Sequence, residues 1–320
     1  MAQRIGIVVI GRNEGARLKA CLAAIPFQAC EVVYVDSGST DGSQEFAARC
    51  GAAVVTLDQA LPFTAARARN AGMTALLARA PATEFVQFLD GDCELNSGWL
   101  RQAVAFLGAH PAHAVVCGRV REREPQRSVF NRLCDLEWDT PVGEAKACGG
   151  NAMLRVAAFQ AVGGFRETLI AGEEPELCVR LRRAGWRVHR LGAEMVLHDA
   201  AMTRFSQWWR RTTRSGYAFA EGAWLHGGSS ERHWVREVLR ALFYGGLFPL
   251  SVLLLALAVA PAWLLLLAVY PAQILRLSRG QGGFTRAFYL VLGRFPEFLG
   301  AMRFIGRTMA HGPVRLIEYK

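Results

Sequence analysis

Three apolar, β-branched runs near the start of the chain each break off into a polar loop, and that repetition limits the fold more than any other feature. Arg4–Ile10 leads into Gly11-Arg-Asn-Glu14, Glu31–Asp36 into Ser37-Gly-Ser-Thr-Asp-Gly42, and Phe85–Asp90 into Gly91-Asp92. Between them lie an amphipathic stretch through Ile25, a helical stretch after Gly42, a further apolar run at Ala53–Leu57 and an Ala-rich helical pattern to about Ala80. Strands alternating with helices of this length imply βαβ units and a mainly parallel sheet, an α/β fold. Ligands bind outside the carboxyl ends of such strands, so the three polar loops are expected on one rim.

The third loop carries the sharpest chemistry. Residues two apart on a strand point the same way, and Gly91 lets the backbone bend so that Asp90 and Asp92 approach one ligand. Two hard oxygen donors this close suit Mg²⁺ or Mn²⁺ holding phosphates, although Asp-Gly is also ordinary turn chemistry. No G-x-G-x-x-G follows the first strand and no G-x-x-x-x-G-K-[ST] occurs, which removes the main support for dinucleotide and P-loop readings. Downstream, the pattern predicts a helix over Ser97–Gly108, a strand over His113–Cys117, surface loops with one helix over Arg119–Glu144 and a short strand in Gly149–Arg155. It also predicts a helix opening at Glu173-Glu-Pro175 and two strands, Trp186–Leu191 and Glu194–His198.

Composition decides the other end of the chain. Residues 241–275 contain no charged residue, about 35 residues against the roughly 20 that one membrane-spanning helix needs. A single straight helix of that length would measure about 52 Å, longer than the hydrocarbon core of about 30 Å, so a hairpin broken near Ala260-Pro261-Ala262 competes with one tilted span. Residues 1–200 carry 22 basic and 22 acidic residues, whereas residues 201–320 carry 15 and 5, which accounts for the net charge of +10. Arg232, Arg236 and Arg240 precede the apolar block and Arg276, Arg279 and Arg286 follow it, which points to a membrane surface and a cytoplasmic face. No arrangement of basic and aromatic residues resembles a nucleic-acid module. The eight cysteines form no C-x-x-C pair, and Met1 runs straight into a strand pattern without a secretory signal, so reduced thiols on a cytosolic face are expected. The expected organisation is an α/β domain over 1–200, in one part to about 95 and a second part beyond it. Basic interface helices follow over 201–240, then the membrane segment over 241–275 and a basic amphipathic surface tail over 276–320.

Several spaced motifs, Val8-Val-Ile-Gly-Arg-Asn-Glu14, Val35-Asp-Ser-Gly-Ser-Thr-Asp-Gly42, Ala66-Arg-Ala-Arg-Asn-Ala-Gly72 and Asp90-Gly-Asp92, together resemble a family 2 glycosyltransferase of GT-A fold, over roughly residues 4–215. The resemblance implies an inverting, nucleotide-sugar-dependent enzyme, whose catalytic domain over 1–200 has a nucleotide-sugar-binding half over about 1–95 and an acceptor half over about 96–200. It places Asn13, Glu14, Asp36, Arg69, Asn70 and Asp90 near a UDP- or GDP-linked donor, with Asp36 on the base and Asp90 on the ribose or the metal. Asp92 would ligate Mg²⁺ or Mn²⁺, and His198 would supply a further ligand. Glu174 would be the general base, with Glu173 beside it; Asp is usual there, which leaves the division of roles between the two glutamates open, and both also suit the positive end of a helix dipole. Gly150 and Asn151 resemble the family's G-[GT]-N element beside donor sugar and acceptor. Gln207-Trp208-Trp-Arg210 resembles the Q-x-x-R-W motif, with Arg211 where its final Trp stands, so Gln207 and Trp208 would meet the acceptor and Arg210 the diphosphate; a basic amphipathic helix on lipid headgroups fits the same residues. The expectation is transfer of a sugar to a lipid-linked or glycan acceptor at the inner membrane, with membrane lipids as further partners. Its rivals are a sugar nucleotidyltransferase and a non-catalytic membrane scaffold on the same fold.

Overall fold

The structure, a computed structural model, describes residues 5–310. The expected start of the first strand at Arg4 and the last ten residues of the expected surface tail lie outside the described residues. One sheet organises the first half: β1 (Ile5–Gly11), β2 (Glu31–Asp36), β3 (Ala53–Thr56), β4 (Phe85–Asp90), β5 (Cys93–Leu95), β6 (His113–Glu122), β7 (Gly143–Glu144), β8 (Ala152–Arg155) and β9 (Arg187–His198). Its order is β3-β2-β1-β4-β8-β6-β9-β5, with β7 paired to β9. The first four strands are parallel and β8 enters antiparallel between β4 and β6. Strands β1 and β4 are buried on both faces, which is why they read as unbroken apolar runs rather than alternating ones.

Register builds the rim. On β1, Gly11 lies opposite Asp36 of β2 and Ile10 opposite Asp90 of β4. At the other side of β4, Phe88 pairs with Ala152, so Asn151 stands level with the end of β4. Cys93 pairs with His198, which brings the last residue of β9 beside Asp92. Helices α1 (Ala16–Ala23), α2 (Ser43–Arg49), α3 (Ala65–Arg79), α4 (Trp99–Ala109), α5 (Val129–Trp138), α6 (Val156–Ala161) and α7 (Glu173–Arg183) complete the α/β half.

Two expectations change here. The segments Trp186–Leu191 and Glu194–His198 form one strand, because register shifts against β6 between Cys117 and Val120 take up Gly192 and let the chain run on. Strand β6 also continues to Glu122 rather than ending at Cys117. Its charges are matched across the sheet, Arg121 to Glu194 at 2.7 Å and Arg119 to Asp139 at 3.4 Å, so pairing overrides a composition that suggests loop.

The chain divides into two compact units, Met1–Gln126 with Glu137–Ala201, and Arg127–Leu136 with Met202–Lys320. In the second, α8 (Phe205–His226) buries Trp208, Gly216 and Tyr217. A Cβ at Gly216 or at Gly300 would strike the facing backbone, so these glycines let α8 and the helix Arg294–Met309 cross closely. Val235–Ala258 is helical throughout and, by length and a mean hydropathy of 2.1, is the one described helix able to cross a membrane; Pro261–Leu277 is apolar but shorter. The chain reverses between them. Tyr270 donates its hydroxyl to the Tyr244 carbonyl at 2.6 Å, so the second arm lies back along the first. The surface of this hairpin is apolar, with Leu257 86 % and Leu265 77 % exposed.

Candidate active site

A buried arginine stands at the centre of the rim. Arg69 projects from α3, is 2 % exposed, and reaches Asp90 and Glu173 at 2.9 Å and Glu174 at 2.8 Å. Burial alone would lower its pKa, but Glu174, Asp90 and Glu173 outweigh burial and push it up, so it stays a cation. Three carboxylates around one guanidinium leave the negative charge in excess. Glu174 carries the consequence: burial first and then the charge of Glu173 push its pKa up to about 7, against the opposing pull of Arg69. A carboxyl with that value exchanges a proton readily near neutral pH. Both glutamates open α7, whose N-terminus also holds Glu176.

Gly150 is required where it stands. A Cβ there would collide with Nη2 of Arg69 and Oδ2 of Asp90, so the chain before β8 passes the ion pair only without a side chain. Next to it, Asn151 is 5 % exposed, accepts from the Asp90 backbone N–H at 2.9 Å and donates to Asp90 Oδ2 at 3.4 Å. Asp90 is therefore held by Arg69 and Asn151, and Asp92 has a different neighbourhood. His198 Nε2 lies 3.5 Å from Asp92 Oδ2, and Asp92, Cys93 and His198 present ligand atoms within 4.8 Å of one another. A carboxylate and an imidazole suit Mn²⁺ better than Mg²⁺, which favours oxygen, with water and phosphate completing the shell. Cys93 donates its thiol to Asp92 Oδ1 at 3.5 Å, and burial followed by the charge of Asp90 holds that thiol well above its ordinary pKa. The donor set fits a hard divalent cation on Asp92 and His198.

The remaining predicted residues divide by what they touch. Asp36 is fully buried. Its Oδ2 accepts from the N–H groups of Gly38 and Ser39 and from Gln44, while Tyr34 donates to Oδ1, so its oxygens shape the second loop. Asn13 is exposed, at φ 54°, and joins the first two loops: its N–H donates to Ser39 and its Oδ1 accepts from the Thr40 N–H. Glu14 pairs with Arg17 at 2.7 Å. Asn70 fixes the loop before α7 through both Phe165 backbone groups. Gln207, Trp208 and Arg210 lie on α8 in the second unit. There Gln207 accepts from the Thr203 and Arg204 N–H groups, Trp208 is buried 4.9 Å from the Tyr289 ring, and Arg210 is exposed.

Sequence reasoning missed Glu122. Its side chain is fully buried, accepts from the Ala200 N–H at 3.0 Å and sits 3.9 Å from His198 Nδ1, while the Trp138 ring lies 4.6 Å from the imidazole. At 3.9 Å the carboxylate stands behind the imidazole but just beyond hydrogen-bond distance. The one available signal is the parity of β6, visible only once that strand is known to extend to Glu122.

The family model for Glycosyl transferase family 2 matches residues 6–163, and that for Glycosyl transferase family group 2 matches residues 85–275. Among curated proteins, the pre-mycofactocin glycosyltransferase of Mycobacterium tuberculosis is 27 % identical over 236 residues, 69 % of this chain and 48 % of that protein. Glycosyltransferase AglE of Haloferax volcanii is 24 % identical over 195 residues, 57 % of this chain and 62 % of its own length. The chain thus spans about half to three fifths of these relatives. Among solved structures, the mannosyltransferase PcManGT from Pyrobaculum calidifontis, in complex with GDP-Man and Mn²⁺, superposes with a TM-score of 0.67 at 21 % identity, covering 94 % of this chain and 87 % of that one. TarS 1-349 of S. aureus in complex with UDP-GlcNAc gives 0.54 at 16 % identity, covering 98 % and 93 %.

Proposed function

The chain belongs to the family 2 glycosyltransferases and has their GT-A type of sheet, and from that premise we propose that it transfers a sugar from a UDP- or GDP-linked donor to an acceptor hydroxyl with inversion. One observation carries the reading: Arg69 bridges Asp90, at the end of β4, to Glu174, a carboxyl whose pKa of about 7 suits a general base. Relatives and neighbours add support, since they are named as glycosyltransferases or hold GDP-Man and UDP-GlcNAc.

The chemistry is a single displacement. Glu174 takes the proton of the acceptor hydroxyl as its oxygen bonds to the anomeric carbon, and the bond from that carbon to the diphosphate breaks on the opposite face. Glu173 and Asp90 keep Arg69 in place, and Arg69 keeps the Glu174 carboxyl aimed. Asp92 and His198 hold the divalent cation, Mn²⁺ or Mg²⁺, which when bound offsets charge growing on the leaving diphosphate. Asn13, Asp36 and the loops they shape receive the nucleotide, and Gly150 and Asn151 serve the sugar.

The acceptor is a lipid-linked or glycan hydroxyl met at the cytosolic membrane surface. Support comes from the charge-free hairpin, its exposed leucines and the arginines at both of its ends. Incubating the full-length protein in detergent with UDP- and GDP-sugars, Mn²⁺ and lipid-phosphate or glycan acceptors tests the proposal. Release of nucleoside diphosphate together with an inverted glycoside is expected. Pyrophosphate release would instead identify a nucleotidyltransferase, and no turnover with any donor would favour a scaffold.

A further inference from the structure

We propose that His113, Glu144 and His189 form a second metal site, for a borderline cation such as Zn²⁺, at the end of β9 remote from His198. One ligand atom from each of the three residues lies within 4.8 Å of the others. His113 Nε2 is 2.9 Å from Glu144 Oε1, and Glu144 stands directly opposite His189 in the ladder between β7 and β9.

A β-bulge creates the convergence. In β6, Val115 pairs with Val188, yet His113 pairs with Arg187, so Ala114 is the extra residue. Without the bulge, His113 would share the face of Val115 and Val188, away from His189, because side chains alternate along a strand. With it, His113 lies on the face of Arg187 and His189, where Glu144 also projects. Three of the chain's seven histidines collect here: the Phe106 ring stacks on His110 at 4.2 Å and on His189 at 4.5 Å and meets His113 edge-on at 5.1 Å.

The histidines also have unused capacity. His113 is 6 % exposed, and the buried Nδ1 atoms of His113 and His189 have no hydrogen-bond partner among the described residues. On His113 it is Nε2 that faces Glu144, so a cation beside that carboxylate would take Nε2 and leave Nδ1 to carry the ring proton. Two imidazoles and one carboxylate, with water in the fourth position, are an ordinary zinc donor set, whereas Mg²⁺ favours oxygen alone. Ligand atoms around tetrahedral zinc lie about 3.3 Å apart, so the site needs to close by at most about 1.5 Å on binding. Glu144 supplies that movement, since its side chain is 57 % exposed and its other ionic neighbour, Arg187 at 3.9 Å, is 64 % exposed. The ion would join β6, β7 and β9 at one point. His189 and His198 are nine positions apart on one strand, about 30 Å, so this ion is distinct from the one assigned to Asp92.

Zinc titration of the metal-free, full-length protein in detergent tests this, using the double variant Asp92→Ala/His198→Ala to remove the rim site. One equivalent of Zn²⁺ should still bind, with a rise in thermal midpoint. Adding Glu144→Gln or His189→Gln should weaken that binding at least about tenfold. Glu144 is exposed, so its variant tests the site even if His113→Gln fails to fold. Absence of Zn²⁺ binding in the double variant, or unchanged affinity in Glu144→Gln and His189→Gln, would overturn the proposal.

Discussion

The environment that would suit Glu174 to the proposed role of base disfavours its charge, and the same fact makes it a liability for the fold. Its ordinary value is 4.5 and its value in the folded chain is about 7, so between these pH values the folded state holds a proton that the unfolded state has released. Its contribution to stability is therefore full below about pH 4.5 and lost as pH rises through about 7. Activity runs the other way, and kcat/KM should rise through a single ionisation near pH 7. Glu174→Gln should lower transfer by about 10² or more while raising the melting temperature at pH 8; an unchanged rate would remove it as the base. Arg69→Met leaves Asp90, Glu173 and Glu174 facing each other without a cation, which should cost about 3–5 kcal/mol in chemical denaturation. A near-neutral result there would show the cluster is well solvated. Sequence alone singled out all four of these residues. It did not show that Arg69 faces carboxylates, because α3 and α7 are about a hundred positions apart and only packing joins them. Glu122 left no trace, since one acid in a charged stretch reads as surface.

At the scale of elements, apolar runs announced β1, β2, β4 and the helices between them because each of those strands is buried on both faces. Strands β6 and β9 were only half legible. Their outer ends carry charged residues that become acceptable through pairing with each other, and pairing partners are not written in local sequence. The chain reverses at Ala260-Pro261, yet Pro249 and Pro271 lie inside helices, so proline alone does not mark the break. What local sequence could not show is the return contact: Tyr270→Phe removes its hydrogen bond to Tyr244 and should cost about 1 kcal/mol in detergent, read as a lower unfolding midpoint. Gly300→Leu should have a larger effect, because the helix Arg294–Met309 could no longer approach α8 at Gly216. An unchanged melting temperature for Gly300→Leu would mean that this crossing is not what holds the second unit together.

For the whole molecule, neutral and basic halves imply different solvents. If the hairpin enters the bilayer and returns, Ser230 and Gln281 end on one side of it. Ser230→Cys and Gln281→Cys should then react with a membrane-impermeant maleimide from the same face of oriented vesicles, and labelling from opposite faces would establish a single span. The order of the sheet has a further consequence, for synthesis. Strand β5 pairs with β9, so Cys93 waits for a partner until residues 187–198 have been made, and Asp92 meets His198 only then. A growing chain therefore carries Asp92 without His198 beside it for about a third of its length. Its catalytic half closes only after β9 is complete and before translation reaches the charge-free residues 241–275. Emergence order thus favours a folded sheet before the charge-free residues appear, and ribosome stalling just before residue 187 should leave a nascent chain that proteases still cut at β5.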